Sequence, residues 1–402
     1  MKQTDDDTVQ LDTTPVDIWV GVPLGLGQMK DPVAPNDIRR WVQGMQNSNP
    51  VYFDETVAEA EGSRFGELVA PQSFAVCTDD SHGAGPAIQG NIPGTHMLFG
   101  GDEWWFYGPR IRPGDKITRS SMLFDYKVTK TGFAGPTMFS RGDTEYANQR
   151  GEFVCKQRST SIRYIAEEAR KRAQFSEEKD PTWSHEQLLE IERKKMAYFE
   201  QVHAQQNQRK LNAQAGEQLP ERLIGPHSIA SFTTEWRAYP FTTWHTFRPN
   251  GLPSSLYDAG WLPEMSRDFD KGAIDPTHLD GLYHGPSRGH VQQEYAQLIG
   301  LPRAYGYGAS MGAWMLDYIG NWGGIWSDVI HCKFSYRTPA MTGDLTILNG
   351  EVTSVREDPM TGQPLAVVQV RMTNQDDATL ATGGAEVRLP TQELPRAEHP
   401  RK

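Results

Sequence analysis

Cysteine is scarce: Cys77, Cys155 and Cys332 are the only three in 402 residues. They are odd in number and widely spaced, with no Cys-x-x-Cys pair, which argues against a disulfide framework and a thiolate metal site and reads as reduced thiols. No apolar run reaches the roughly 20 residues that a spanning helix needs, so no membrane partner is expected. Met1 to Pro15 is polar and acidic, without the basic start and apolar stretch of a secretory signal, and the expected location is the cytoplasm. Positive charge is in deficit, 40 Lys and Arg against 51 Asp and Glu, for a net charge of -11. Phosphate backbones are held by clustered cations, so no nucleic-acid partner is expected.

What the chain does have is length and repetition. At 402 residues, with 37% apolar and 23% charged side chains, it is a globular sequence too long for one ordinary core, and two domains are expected. In the first half Asn49-Pro50-Val51-Tyr52 is followed by Ala58, Pro109 to Gly114-Asp115, Asn148-Gln149 and a strand-like run from Glu152 to Arg163. In the second half His290 is followed six residues later by Ala296, then by Pro339 to Gly343-Asp344, Asn374-Gln375 and Thr379 to Leu389. The shared order and spacing mark two copies of one unit.

Gly-Asp and Asn-Gln turn signals separate runs rich in Val, Ile, Thr and aromatics, such as Lys116 to Lys130 and Leu345 to Arg356. Each half is therefore expected to end in an antiparallel meander. A helix is expected ahead of each meander, Pro35 to Gln46 in the first half and Ala309 to Ile319 in the second, where Met311, Trp314, Met315 and Tyr318 recur at helical spacing. One helix against several antiparallel strands is an α+β layout. Between the halves, Ile165 to Arg222 turns rich in Glu, Lys, Gln and Ala, and Ser184 with Gln187 forms a capping box ahead of a helical pattern. The expected units are 16–165, a helical linker 166–222, and 223–392 with a long insertion at 239–285.

From His290 to Gly308 the chain reads His-Val-Gln-Gln-Glu-Tyr-Ala-Gln-Leu-Ile-Gly-Leu-Pro-Arg-Ala-Tyr-Gly-Tyr-Gly. This stretch resembles the hydratase motif of MaoC-like acyl-CoA hydratases/dehydratases. That motif opens on a catalytic His and closes on a His-Gly at a helix start, and Ala296, Gly300, Pro302, Arg303 and Gly308 fall in its register. In the first half Asn49 to Asp54, Ala58, Gly66 to Ala70-Pro71 and the Pro109 to Asp115 turn look like the family's N-terminal dehydratase domain. The resemblance implies two fused hotdog folds, each an antiparallel sheet wrapped around one helix. It also implies an acyl-CoA substrate, coenzyme A entering as part of that substrate with no metal or other cofactor, and a homodimer.

The departures from the motif are as informative. The family's Gly-Asp-x-Asn-Pro-x-His carries an Asp and a His that share acid/base work. In the first half those positions are Asn47 and Tyr52, which do no base chemistry near neutral pH and are expected to shape an acyl pocket, with Trp314. In the second half His290 is present, but the Asp position is Gly285 and Asn-Pro is Ser287-Arg288.

Hydration of an enoyl thioester needs a base for water, a proton donor to the α-carbon and a hydrogen-bond donor for the enolate oxygen. His290 fits the acid/base role because imidazole titrates near neutrality. The N–H of Gly308, at the start of a helix, fits the enolate oxygen. Asp280, His284 and Glu294 are the candidates for the missing carboxylate, and Glu294 sits one helical turn from His290. Arg288 can bind a phosphate or polarise the thioester, and Tyr307 can donate a proton or simply pack. The expected activity is hydration or dehydration of a bulky acyl-CoA. The alternatives are a catalytically degenerate acyl-CoA-binding partner subunit and a thioesterase.

Overall fold

The computed structural model describes residues 10–392 apart from 30, 80, 82, 174–178, 206 and 240–286. Each half contributes five strands: β1 (Pro23–Gln28), β2 (Thr95–Trp105), β3 (Thr118–Thr131), β4 (Gly135–Ala147) and β5 (Phe153–Ile165), then β6 (Gln218–Ile224), β7 (Asp328–Tyr336), β8 (Thr346–Glu357), β9 (Pro364–Thr373) and β10 (Thr379–Arg388). Every paired neighbour is antiparallel. Their order, β1-β3-β4-β5-β2-β7-β10-β9-β8-β6, makes one ten-stranded sheet. Outward from the β2–β7 joint the order is the same in both directions, so the halves are related by a pseudo-twofold axis there. The joint itself runs from Gly101↔Ser335 to Trp105↔His331.

The repeat extends to single hydrogen bonds. Gln149 accepts from the Lys116 N–H at 2.8 Å and donates to Asp115 at 3.2 Å. Gln375 accepts from the Leu345 N–H at 2.9 Å and donates to Asp344 at 3.1 Å. Each Gly-Asp turn is thus tied to the Asn-Gln turn of the next hairpin, which is why the two signals recur together.

Eight α-helices lie among the described residues: α1 (Thr14–Asp17), α2 (Pro35–Gly44), α3 (Glu55–Ala58), α4 (Ala166–Arg172), α5 (His185–Gln205), α6 (Ile229–Ala238), α7 (Gln293–Leu298) and α8 (Gly308–Gly323). α8 is buried nearly all round, as a helix with apolar side chains on every face must be, and it forms the centre of the molecule with Trp314, Met315 and Ile319 fully enclosed. One hydrophobic core joins both halves, with Trp41, Phe74 and Trp104 packed in the same cluster as Trp314, Met372 and Leu380.

Two sequence expectations need correction. The counterpart of α2 is α6 and not the Ala309 to Ile319 helix: each follows the first strand of its half, and the two pack together where a Cβ at Gly44 would lie 2.7 Å from that of Ala238. The counterpart of α8 is a seven-residue 3-10 helix, Gln72–Thr78. Secondly, the span 166–222 includes the first residues of β6, which starts at Gln218. Within it the Ser184–Gln187 capping box is present, with reciprocal bonds of 2.8 and 3.2 Å. Beyond that cap α5 packs against β6, burying Ile191, Tyr198 and Val202. The insertion 239–285 lies outside the described residues except for Tyr239.

Candidate active site

The 3-10 turn Arg288–His290 leads into α7, just as the turn Pro50–Tyr52 leads into α3 in the first half. Tyr52 and His290 are therefore equivalent in space as well as in sequence. The His290 ring is partly buried, stacked on Tyr307 with centroids 4.1 Å apart and tilted against Tyr305 at 4.3 Å. Its Nδ1 lies 2.7 Å from the Tyr305 carbonyl oxygen. A carbonyl only accepts, so the neutral ring carries its proton on Nδ1 and keeps a lone pair on Nε2. Burial lowers the pKa to about 4, opposed by the Tyr305 bond, so the imidazole is a neutral base at neutral pH.

Beside it begins α8. Tyr307 is the N-cap and makes no side-chain cap bond. The Met311 N–H bonds the Tyr307 carbonyl at 3.2 Å, which leaves the N–H groups of Gly308, Ala309 and Ser310 ahead of the helical ladder, at the positive end of the dipole. A Cβ at Gly308 would fall 2.5 Å from that of Phe99, so only glycine lets β2 press against the helix start. The site combines a neutral base with unclaimed backbone donors, the pair that water activation and oxyanion stabilisation require.

The other candidates fall into different places. Tyr307 serves as the stacking partner of His290. Glu294 is exposed on α7, and a carbonyl, not this carboxylate, orients the imidazole. Arg288 is 2% exposed and donates to the Tyr295 hydroxyl, its guanidinium 4.6 Å over that ring, so it is engaged within the wall of the site. Gly285, Asp280 and His284 lie outside the described residues.

The acyl-pocket reading of Asn47, Tyr52 and Trp314 does not fit their surroundings. Asn47 and Tyr52 border a cavity of about 10 Å³ together with Asp317, Asn321 and Arg110. That is room for about one water molecule, not for an acyl chain. Trp314 is fully buried and stacked on His227 at 5.3 Å, so it belongs to the core.

Two residues escaped the sequence reading. His96 on β2 is an electrostatic neighbour of His290, its Nε2 buried without a partner and its pKa lowered to about 3, chiefly by burial. Glu235 on α6 is 1% exposed, with a pKa raised to about 8 by burial. Neither lies in a motif, and both come to the site only through packing of β2 and α6 around α8. Among the described residues no group of three or more His, Cys, Asp or Glu is placed to hold a metal ion. None of the described helices is long and apolar enough to cross a membrane.

Comparison with known proteins agrees with this architecture. Residues 18–157 match the model of the FAS1-like dehydratase domain region. A probable enoyl-CoA hydratase alpha subunit from Thermomonospora curvata is 30% identical over 161 residues, 36% of this chain and 50% of that protein. The chain thus spans about half the length of the curated relative it matches. Among solved structures, a MaoC-like dehydratase superimposes with a TM-score of 0.57 at 15% identity, over 93% of this chain and 100% of that one. A putative MaoC domain dehydratase of Chloroflexus aurantiacus gives 0.55 at 12% identity, over 98% and 100%. A conserved hypothetical protein of Mycobacterium tuberculosis described as a double hotdog fold gives 0.50 at 9% identity, over 90% and 95%. The chain thus has the double hotdog fold, with both units in one polypeptide, and its first half is similar to the FAS1-like dehydratase region.

Proposed function

We propose that the protein is an acyl-CoA hydratase/dehydratase that adds water reversibly across a 2-enoyl-CoA to give a 3-hydroxyacyl-CoA. The observation that carries this reading is the 2.7 Å contact from His290 Nδ1 to the Tyr305 carbonyl, which leaves Nε2 as a neutral base beside the start of α8. In hydration, Nε2 takes a proton from water as the oxygen bonds the β-carbon. The electron pair of the double bond moves onto the thioester oxygen, where the N–H groups at the start of α8 stabilise it, and protonation of the α-carbon completes the addition. Coenzyme A enters as part of the substrate, and the protein acts as a homodimer in the cytoplasm.

The second reading is a non-catalytic acyl-CoA-binding subunit that works beside an active partner. It is favoured by Gly285 and Asn47, which stand where the family motif carries its Asp. A panel of 2-enoyl-CoAs decides between them, followed by loss of enoyl thioester absorbance and by mass, with His290→Gln beside the parent. Water addition by the parent alone is the expected result. Acyl-CoA binding without water addition overturns it in favour of the second reading, and release of free coenzyme A points instead to a thioesterase.

A further inference from the structure

α2 and α6 are equivalent ten-residue helices, each held at its start by a bond between the N-cap N–H and the side chain three residues on: Ala34 to Asp37 at 2.9 Å and Ser228 to Ser231 at 2.9 Å. Counted from these caps, the seventh residue of α2 is Trp41 and that of α6 is Glu235. Both are buried, at 0% and 1% exposure. Each faces a serine in the first turn of the helix that enters its own half: Ser73 in Gln72–Thr78 and Ser310 in α8. In the first half the seat is filled by an indole that donates to Ser73 Oγ at 3.0 Å, and Ser73 in turn donates to Asp317 at 2.6 Å. In the second half it is filled by a carboxyl neither of whose oxygens makes a hydrogen bond within ordinary distance.

A buried carboxyl with only the Ser310 hydroxyl beside it costs stability, and no packing need explains it, since the same seat takes a tryptophan in the other half. It is also close to the chemistry. Its polar neighbours are Ser310, two residues beyond Gly308, and Tyr239, whose ring centre is 6.5 Å from that of Tyr307, the ring that stacks on His290. Among the described residues no charged group adds to the shift of Glu235. Burial alone raises its pKa to about 8, with Ser310 opposing, so it holds its proton at neutral pH.

We propose that Glu235 is the proton donor of this site, the acid partner of His290 in place of the motif Asp, whose position is Gly285 here. The inference rests on the hydratase reading. In hydration His290 Nε2 takes one proton from water while the oxygen bonds the β-carbon. The enolate electron pair then forms the new bond from the α-carbon to the Glu235 proton, leaving a carboxylate. Transfer of the proton held on His290 to that carboxylate restores both groups, and one water has been added. Dehydration runs the same steps backwards, with the Glu235 carboxylate as the base at the α-carbon.

The test compares the parent with Glu235→Gln, which keeps the shape of the side chain and removes the proton. Turnover of the best enoyl-CoA, its pH profile and the affinity for a saturated acyl-CoA are measured together. Glu235→Gln is expected to lower kcat by about 100-fold. It should also abolish the basic limb of the profile near pH 8 and leave the affinity for saturated acyl-CoA nearly unchanged. An active parent with an equally active Glu235→Gln variant overturns this proposal alone, whereas a parent inactive on every enoyl-CoA overturns it together with the hydratase reading. Should Glu235→Gln fail to fold, infrared difference spectra of the parent serve instead. A protonated-carboxyl band that shifts on acyl-CoA binding, with the basic limb kept in Glu235→Asp, supports the assignment, and absence of the band refutes it.

Discussion

The two halves share a strand order, a set of turns and a pair of equivalent helices, yet they treat equivalent seats in opposite ways. In the first half Tyr52 stands where His290 stands in the second, and it looks onto a cavity of about 10 Å³. Trp41 fills its seat and joins Ser73 and Asp317 in a hydrogen-bonded chain, and Asn321 donates to Asn47 at 3.3 Å. In the second half the corresponding seats hold a neutral imidazole and a carboxyl whose oxygens make no hydrogen bond among the described residues, near a helix start whose N-cap, Tyr307, makes no side-chain cap bond. The first half thus ties its polar groups at these seats to the far part of α8, while the groups at the equivalent seats of the second half are not tied down in that way. Duplication lets one copy maintain the scaffold while the other carries groups that the fold would be more stable without.

The largest expected effect tests the equivalence of Tyr52 and His290. Replacing His290 by Gln should lower kcat by about 10³-fold, within the range for loss of a general base. Tyr52→Phe should leave it within about two-fold, because a phenol beside a cavity with room for about one water has no part in the chemistry. Comparable losses in both variants, measured with one enoyl-CoA, would show that the first half is not the silent partner described here.

Next comes stability against pH at the Trp41/Glu235 seat. The folded protein keeps a proton on Glu235 up to about pH 8, whereas the unfolded chain releases it near the ordinary value of 4.5. The folded state therefore binds more protons across that window. The stability this contributes is complete below the lower value and is lost as pH rises through about 8. Glu235→Gln removes the loss, so its unfolding free energy relative to the parent's should rise from pH 5 to 8.5, by an amount on the order of a few kcal/mol at the upper end, and its melting temperature should rise with it. Trp41→Phe gives up the Ser73 bond and some packing and should cost about 1–2 kcal/mol at every pH. A flat difference between parent and Glu235→Gln over this range counts against a neutral Glu235.

Much of the fold was legible because repetition is a long-range signal. Gly-Asp and Asn-Gln turns recur in both halves for one physical reason, the Gln-to-Asp and Gln-to-backbone bonds that tie them together. The nearness of His290 to the start of α8 was legible because both lie on one short continuous segment. The pairing of helices was misread because a 3-10 helix carries little periodic signal, so Gln72–Thr78 passed unnoticed and the nearest amphipathic stretch, α2, was put in its place. Glu235 and His96 were illegible for a different reason. Each lies in an ordinary strand or helix far from the motif, and only the packing of β2 and α6 around α8 brings His96 near His290 and Glu235 near Ser310.

Gly308 gives a smaller effect that still separates the halves. A Cβ there meets that of Phe99 at 2.5 Å, backbone-borne atoms that cannot swing aside, so Gly308→Ala should cost about 1–3 kcal/mol by forcing β2 and α8 apart. The same displacement moves the N–H donors, so kcat should fall with it. Phe99→Gly removes the opposing Cβ, so combining it with Gly308→Ala should cost less stability than the sum of the two single variants if the close approach is what matters.

The smallest effect is the most exacting test of the repeat. Gln149→Ala and Gln375→Ala each remove one side chain that bonds a strand-start N–H and a buried Asp, in settings that match to within 0.1 Å in both bonds. Each should cost about 1 kcal/mol in denaturant unfolding. The double variant should show the sum, because the two turns belong to opposite halves and share no partner. Unequal costs would mean that the two turns, alike in geometry, bear different loads. In that case the division of labour between the halves extends beyond the active site into the scaffold itself.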